Sequence, residues 1–239
     1  VTENDLNNFL DILKTKKFVK LEAVYSHFAN VEDAADNSYA MRQLERFNKM
    51  SDKIAKRGFV GFKKHISATA AVLLLPETHF DMVRIGIGQY GLWPSEKVKM
   101  NYKKPLALSP VMSWKTHVSQ IKQVPKGNFI GYGCAYQAKR DMIIAILPIG
   151  YSDGYDRKLS NKGYVLIKGR KAPVVGRVCM NLTMIDVTDI KGIKLEDEVV
   201  LLGKQGGEEI TAENLADLIG TINYEVVTRI NWQIPKKIL

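Results

Sequence analysis

"GLWPSEKVKMNYKKPLALSP" (Gly91–Pro110) divides the chain into two textures. It holds Pro94, Pro105 and Pro110 together with four lysines, and reads as a linker between domains. Upstream, helical and strand-like patterns alternate. Leu6, Phe9, Leu10 and Leu13 fall at i, i+3, i+4 and i+7, one face of a helix with Thr2 as its cap. Leu21 to Phe28 reads as a strand. Met41, Leu44, Phe47, Met50 and Ile54 trace a second helix. "GFKKHISATAAVLLLP" begins as a strand and continues as a helical or irregular stretch. "FDMVRIGIGQYGLWP" contains a buried strand that ends in glycines. This alternation predicts parallel strands with crossover helices, an α/β sheet or barrel.

Downstream the segments are short, β-branched and punctuated by glycine: "FIGYGCAY", "MIIAILPIGY", "GYVLIKG", "APVVGRVCM", "MIDVT", "EVVLLG". They predict an all-β domain with hairpin-like turns. One helix interrupts it, from about Thr211 to Leu218, with Thr211 as cap and Gly220 as stop. The expected domains are an α/β unit over 1–103 and a β-rich domain over 104–239.

The 239 residues are 46% apolar, enough for a core in each part. The net charge is +10, and Lys97 to Arg177 alone holds 16 basic residues against 3 acidic ones. The surplus there is 13, so the remainder is net −3. Such a block suits nucleic acid, or a solvated surface beside an anionic ligand such as a phosphate. No recognition helix, zinc knuckle or RNP-like motif accompanies it, so no nucleic-acid partner is expected. The greasy runs are too short to span a bilayer, and "VTENDLNNFL" lacks a signal-peptide layout. No membrane segment is expected. Cys134 and Cys179 match no metal motif, so no metal is expected. One disulfide stays open, but reduced thiols in the cytoplasm are the expectation.

Ligands of parallel α/β folds sit at the carboxyl ends of strands. Three polar residues fall there: His27, Thr69 and Arg84. Arg84, between Val83 and Ile85, is either a surface ion pair or a group with a specific acceptor, since an unpaired guanidinium in apolar surroundings is costly. His27 alone reads as a structural histidine. Gly86 and Gly88 permit close backbone approach, and their N–H groups suit a phosphate, although turns use glycine freely. Further on, Tyr132 stands between Gly131 and Gly133, which leaves its phenol room to face a ligand. A tyrosine serves as acid or base when its pKa falls from about 10; packing is the alternative. In "GRVCMNLTMIDV", backbone N–H groups and Asn181 suit a carboxylate, or the stretch is an ordinary bulged strand.

Together these stretches resemble the bacterial alanine racemases. The resemblance rests on "YSHFANVED", "HISATAA", "MVRIGIGQYGLWP", "YGCAYQA", "LPIGYSDGY", "APVVGRVCMNLTMIDVTD" and "TINYEVVTRI", in family order along essentially the whole chain. It implies the C-terminal half of a (β/α)8 barrel followed by a β-rich C-terminal domain. It also implies pyridoxal 5'-phosphate as cofactor and a homodimer with shared active sites. Interconversion of L- and D-alanine, supplying D-alanine for peptidoglycan, would proceed by two-base proton transfer. By resemblance His27 lies beside the cofactor ring and Arg84 donates to its pyridine nitrogen. Thr69, the Gly86 and Ile87 backbone and Tyr224 hold the phosphate. Arginine gives up a proton reluctantly, so the ring nitrogen stays unprotonated and the electron sink is weaker. Tyr132 is the general base, given to the partner's site; Tyr151, Met180 and Asn181 line the substrate. Tyr136 and Tyr155 are expected to pack. Two departures qualify this. The family's lysine-bearing "VVKANAYGHG"-type segment and its "DTGMxRxG" segment have no counterpart here, so the chain is expected to be a fragment that does not racemise alone, or a non-catalytic module. Asn181 stands where many relatives have Asp, which leaves serine as an alternative substrate because an amide both donates and accepts.

Overall fold

The apolar residues near the start form helix α1 (Leu6–Lys14), which buries Leu6 and Leu10. The computed structural model describes residues 1–33, 36–103 and 105–238. Two units cluster within it, Val1–Pro110 and Val111–Leu239. Lys104 and Leu239, the first and last residues of the expected second domain, lie outside the described residues. Thr2 is not the cap of α1. That place falls to Asp5, and the Thr2 hydroxyl sits one turn earlier, accepting the Asp5 N–H at 3.4 Å.

In the first unit, strand β1 (Ala23–Tyr25) is shorter than the expected Leu21 to Phe28. Helix α2 (Ser38–Lys56) follows, and strand β2 (Lys63–His65) then pairs parallel to β1, Tyr25 opposite His65. This is a β-α-β crossover, the unit that the alternating pattern predicts. Helix α3 (Thr69–Leu74) leaves β2 at once. Phe28, Ala40, Phe47, Ile66, Ala70, Leu75 and Val98 form the core between these elements. The unit is mixed α/β, and no closed barrel forms among the described residues.

Two expectations fail here. The buried strand within "FDMVRIGIGQYGLWP" is reduced to one bridging residue, Arg84, whose N–H reaches the Ser67 carbonyl at 3.0 Å. Gly86 (φ −105°, ψ −99°) leaves the extended region, a 3-10 turn starts at Ile87, and Met82 and Ile85 stay exposed. The expected linker is largely folded into the first unit. Ser95 caps helix α4 (Glu96–Asn101) by accepting the Val98 N–H at 3.1 Å, and Leu92 and Val98 are buried. Gly91 (φ 73°) lies so close to the Ser109 carbonyl that a Cβ there would be 1.8 Å from its oxygen.

The second unit is antiparallel. Its strands are β3 (Trp114–His117), β4 (Gln120–Val124), β5 (Phe129–Ile130), β6 (Tyr136–Gln137), β7 (Met142–Leu147), β8 (Tyr164–Ile167), β9 (Arg170–Pro173), β10 (Thr183–Asp186), β11 (Glu198–Gln205) and β12 (Glu208–Ile210). One sheet runs β10-β7-β4; another runs β12-β11-β8-β9 with β3 also on β11; β5 and β6 form a small hairpin. Met142, Ile144, Ala145 and Leu147 of β7 are buried, so the apolar run between the tyrosine-bearing loops is a core strand. Helix α5 (Ala212–Ile219) has the predicted ends: Thr211 accepts the Asn214 N–H at 3.2 Å, and Gly220 is left-handed. A second helix, α6 (Asn223–Thr228), departs from the single helix expected. Its six residues include two valines and no side-chain cap, a composition that reads as strand. No helix among the described residues is long and apolar enough to cross a membrane.

Candidate functional site

Arg84 organises the first of two constellations. Its Nη1 donates to His65 Nδ1 at 2.5 Å; its Nη2 donates to the Ser26 carbonyl at 2.8 Å, to His27 Nδ1 at 3.1 Å and to the Ile66 carbonyl at 3.3 Å. A guanidinium only donates, so both imidazole Nδ1 atoms must carry lone pairs, with the ring proton on Nε2. Burial, and then the facing Arg84 charge, push the His65 pKa below the usual histidine value. The stacked Tyr25 and His65 rings, 5.3 Å apart, wall the guanidinium, which lies 5.6 Å from the Tyr25 ring centre. These contacts occupy Nη2 and one Nη1 proton. Among the described residues, Nε–H and the other Nη1 proton remain for a further acceptor.

Thr69 opens α3 beside this cluster in sequence and is buried. Its Oγ1 accepts the Gly86 N–H at 3.0 Å, so its own hydroxyl proton is directed elsewhere. A Cβ on Gly88 would lie 2.7 Å from the Thr69 methyl carbon, so glycine is what allows the two turns to meet. The first turns of α3 and of the Ile87–Tyr90 3-10 segment thus converge, each with backbone N–H groups lacking partners inside the turn. That donor set, with a hydroxyl added, suits a phosphate-sized anion. The site therefore brings His27, Thr69, Arg84, Gly86 and Ile87 into one cradle.

The second constellation belongs to the Val111–Leu239 unit. Tyr132 starts a 3-10 turn between two left-handed glycines, Gly131 (φ 76°) and Gly133 (φ 69°), and its side chain is 75% exposed. A Cβ on Gly131 would meet Met184 and the Arg177 backbone; one on Gly133 would touch the Arg177 guanidinium. Tyr151 is anchored through its N–H to the Cys179 carbonyl at 3.0 Å, and Ser152 through its N–H to the Met180 carbonyl at 3.0 Å. Gly150 makes this possible, since a Cβ there would collide with both carbonyls. Asn181 Nδ2 donates to Ser152 Oγ at 2.8 Å, while that hydroxyl donates to the Met180 carbonyl at 2.8 Å. The hydroxyl has one proton and a carbonyl can only accept, so Asn181 must present its NH2 to Ser152 and its Oδ1 elsewhere. Tyr151, Met180 and Asn181 are therefore together. Tyr224 is half-buried on α6 of the same unit.

Of the tyrosines expected to pack, Tyr155 does so fully: 1% exposed, edge-on to Trp114, its hydroxyl without a hydrogen-bond partner among the described residues. Tyr136 is half-buried against the Ile130–Met184 cluster. The sequence reading missed His65, Tyr25, Ser152 and Arg177. His65 stands at the end of a parallel strand, where the rule that selected His27 selects it equally. Cys134 and Cys179 are free thiols. No cluster of metal-ligating side chains occurs among the described residues.

The sequence model described as "Alanine racemase, N-terminal domain" matches residues 1–94, and that described as "Alanine racemase, C-terminal domain" matches residues 111–238. Over 222 residues the chain is 41% identical to an alanine racemase of Leptospira interrogans, covering 91% of this chain and 57% of that protein. With an alanine racemase of Carboxydothermus hydrogenoformans it shares 42% over 232 residues, 97% of this chain and 62% of the other. Among solved structures, alanine racemase from Bacillus anthracis with bound L-Ala-P aligns at a TM-score of 0.90 and 38% identity, over 98% of this chain and 59% of that one. Alanine racemase from Streptomyces coelicolor aligns at 0.90 and 32%, over 99% and 61%. The chain thus spans about three-fifths of the length of the relatives it matches.

Proposed function

The chain belongs to the alanine racemase family, and we propose that it supplies most of the cofactor cradle and one of two proton-transfer groups to an enzyme interconverting L- and D-alanine. The second group, the lysine that the resemblance implies, is assigned to the two-fifths of the relatives that this chain does not span. Residues 1–103 are read as the C-terminal half of a (β/α)8 barrel and 104–239 as the β-rich domain. Supporting the half-barrel, β1 pairs on one side only among the described residues, and a cleft of about 650 Å³ lined by Leu6, Leu10, Val24, Phe47 and Ile54 runs beside it. The assembly is read as a homodimer acting in the cytoplasm, where free thiols stay reduced, with D-alanine used for peptidoglycan.

The observation that carries the reading is the Arg84 clamp. A cation fixed by two imidazoles and two carbonyls, with donors to spare, suits an uncharged ring nitrogen. The neighbouring Thr69, Gly86 and Ile87 suit a phosphate, so the residues fit pyridoxal 5'-phosphate. When bound, that cofactor spreads the negative charge left at an amino acid's α-carbon, which makes the α-proton removable near neutral pH. His27, which holds Arg84, would flank the ring, and Tyr224 is read as a further cofactor-binding residue. Tyr132 takes or returns the proton on one face of the α-carbon. Inversion requires the lysine on the opposite face, because a single group returns the proton where it found it. Tyr151, the Met180 backbone and the outward Oδ1 of Asn181 orient the amino acid.

The test compares this chain alone with the complete protein that carries it, each given pyridoxal 5'-phosphate and L-alanine. The complete protein should form D-alanine and the chain alone should not. Turnover by the chain alone, or none by the complete protein, overturns the reading.

A further inference from the structure

We propose that Asn161 is a positioning residue for Tyr132, a role that rests on the racemase reading above. Its Nδ2 donates to the Ala135 carbonyl at 2.9 Å, and its Oδ1 accepts the Gly176 N–H at 2.6 Å. Gly176 is buried, so its N–H requires an acceptor. One partner is a carbonyl and the other an N–H. Their chemistry calls for a donor and an acceptor side by side, which the primary amide provides and a carboxylate does not. The backbone agrees: Asn161 sits at φ 57°, a left-handed region that asparagine tolerates better than most residues.

What Asn161 joins is the turn bearing Tyr132 and the segment bearing Met180 and Asn181. Ala135 directly follows the Tyr132–Cys134 turn. Before that turn, Gly131 and Gly176 meet backbone to backbone: a Cβ on Gly176 would lie 2.8 Å from the Ile130 carbonyl oxygen, and one on Gly131 3.3 Å from the Arg177 nitrogen. Ser160, the preceding residue, accepts the Val178 N–H at 2.9 Å. Ser160 and Asn161 therefore fix both ends of Gly176–Val178, and Asn161 fixes the far end of the tyrosine turn to the same point. Packing does not hold the Tyr132 side chain, which is three-quarters exposed. Its direction follows from the backbone of the turn, which the Asn161 amide ties down by hydrogen bonding.

The experiment uses the complete protein that carries this chain, with Asn161→Asp and Asn161→Gly. The first keeps an acceptor for Gly176 and loses the donor to Ala135. The second keeps the left-handed backbone and loses both bonds. Both variants should lose about 10- to 100-fold in kcat/KM, equally from L- and D-alanine, since the equilibrium constant cannot change. The isotope effect on α-deuterated alanine separates positioning from general damage. It should rise in the direction whose proton Tyr132 removes and fall in the other. Amide exchange over 131–138 should quicken in both variants, with the cofactor absorbance unchanged. Isotope effects that do not move, or kcat/KM within twofold of wild type, overturn the proposal. If the wild-type protein does not racemise alanine, the reading above fails, and exchange decides alone: unchanged protection over 131–138 in Asn161→Asp then overturns the tether.

Discussion

The two constellations of this chain are built in opposite ways. In the cradle the working side chains hold one another: Arg84 joins His65, His27 and two carbonyls, and Thr69 is buried against Gly86. Around Tyr132 they scarcely touch. Tyr132, Met180 and Tyr151 are 75%, 55% and 43% exposed, and control lies in backbone contacts at Gly131, Gly150 and Gly176. The difference separates two tasks. Under the proposed reading, a cradle for a permanently held group gains from donors fixed in advance, which need no reordering when the group arrives. On the same reading, a face that meets a small substrate and moves a proton needs reach, which side chains standing free on a held backbone provide.

This contrast can be broken by mutation, beginning with the largest effect. Tyr132→Phe removes only an exposed hydroxyl. It should lower alanine kcat/KM in the complete protein by at least ~100-fold with no change in melting temperature. A parallel loss of stability would show that the phenol is structural. Arg84→Ala should do the reverse, costing stability first. It strands the Ser26 carbonyl and His65 Nδ1, at about 1–3 kcal/mol, and should also weaken cofactor binding followed by absorbance titration. An Arg84→Ala protein that melts like wild type would mean that the cradle is not self-supporting.

The cradle should also carry a pH signature. The folded pKa of His65 is lowered, so the unfolded chain binds more protons than the folded one below about pH 6.5. The His65 contribution is complete above that pH and is lost as pH falls through the lowered folded pKa. Melting temperature should therefore drop on acidification below pH 6.5, and less steeply in His65→Asn. Equal slopes would remove His65 from the account. The smallest effect belongs to the packed tyrosine. Tyr155→Phe deletes a buried hydroxyl with no partner among the described residues. Stability should stay level or rise by up to ~1 kcal/mol, and a loss above that would reveal a hydrogen bond to the phenol.

Helices α1, α2 and α5 were legible because periodicity and the Thr211 and Gly220 signals are local. The parallel pairing of β1 and β2 was legible from alternation. The strand expected after Phe80 was not, because Gly86 turns the chain before apolar character can be used. Nor was the packing of Gly91–Pro110, where proline and lysine suggest a linker while Ser95 caps a helix. Among site residues, His27, Thr69 and Arg84 were visible as polar groups at strand ends. Asn161 and Ser152 were not, because their importance lies in partners 26 to 29 residues away in sequence.

The central claim of the proposed reading is that the cradle of one subunit and Tyr132 of its partner serve one active site. The direct test mixes Arg84→Ala and Tyr132→Phe forms of the complete protein, at a cofactor concentration where each alone shows little activity, under conditions that exchange subunits. Each mixed dimer then has one intact cradle facing one intact tyrosine. With random pairing, half the dimers are mixed and each has one working site of two, so alanine racemisation should recover to about a quarter of wild type. No recovery, with subunit exchange verified, would contradict the account.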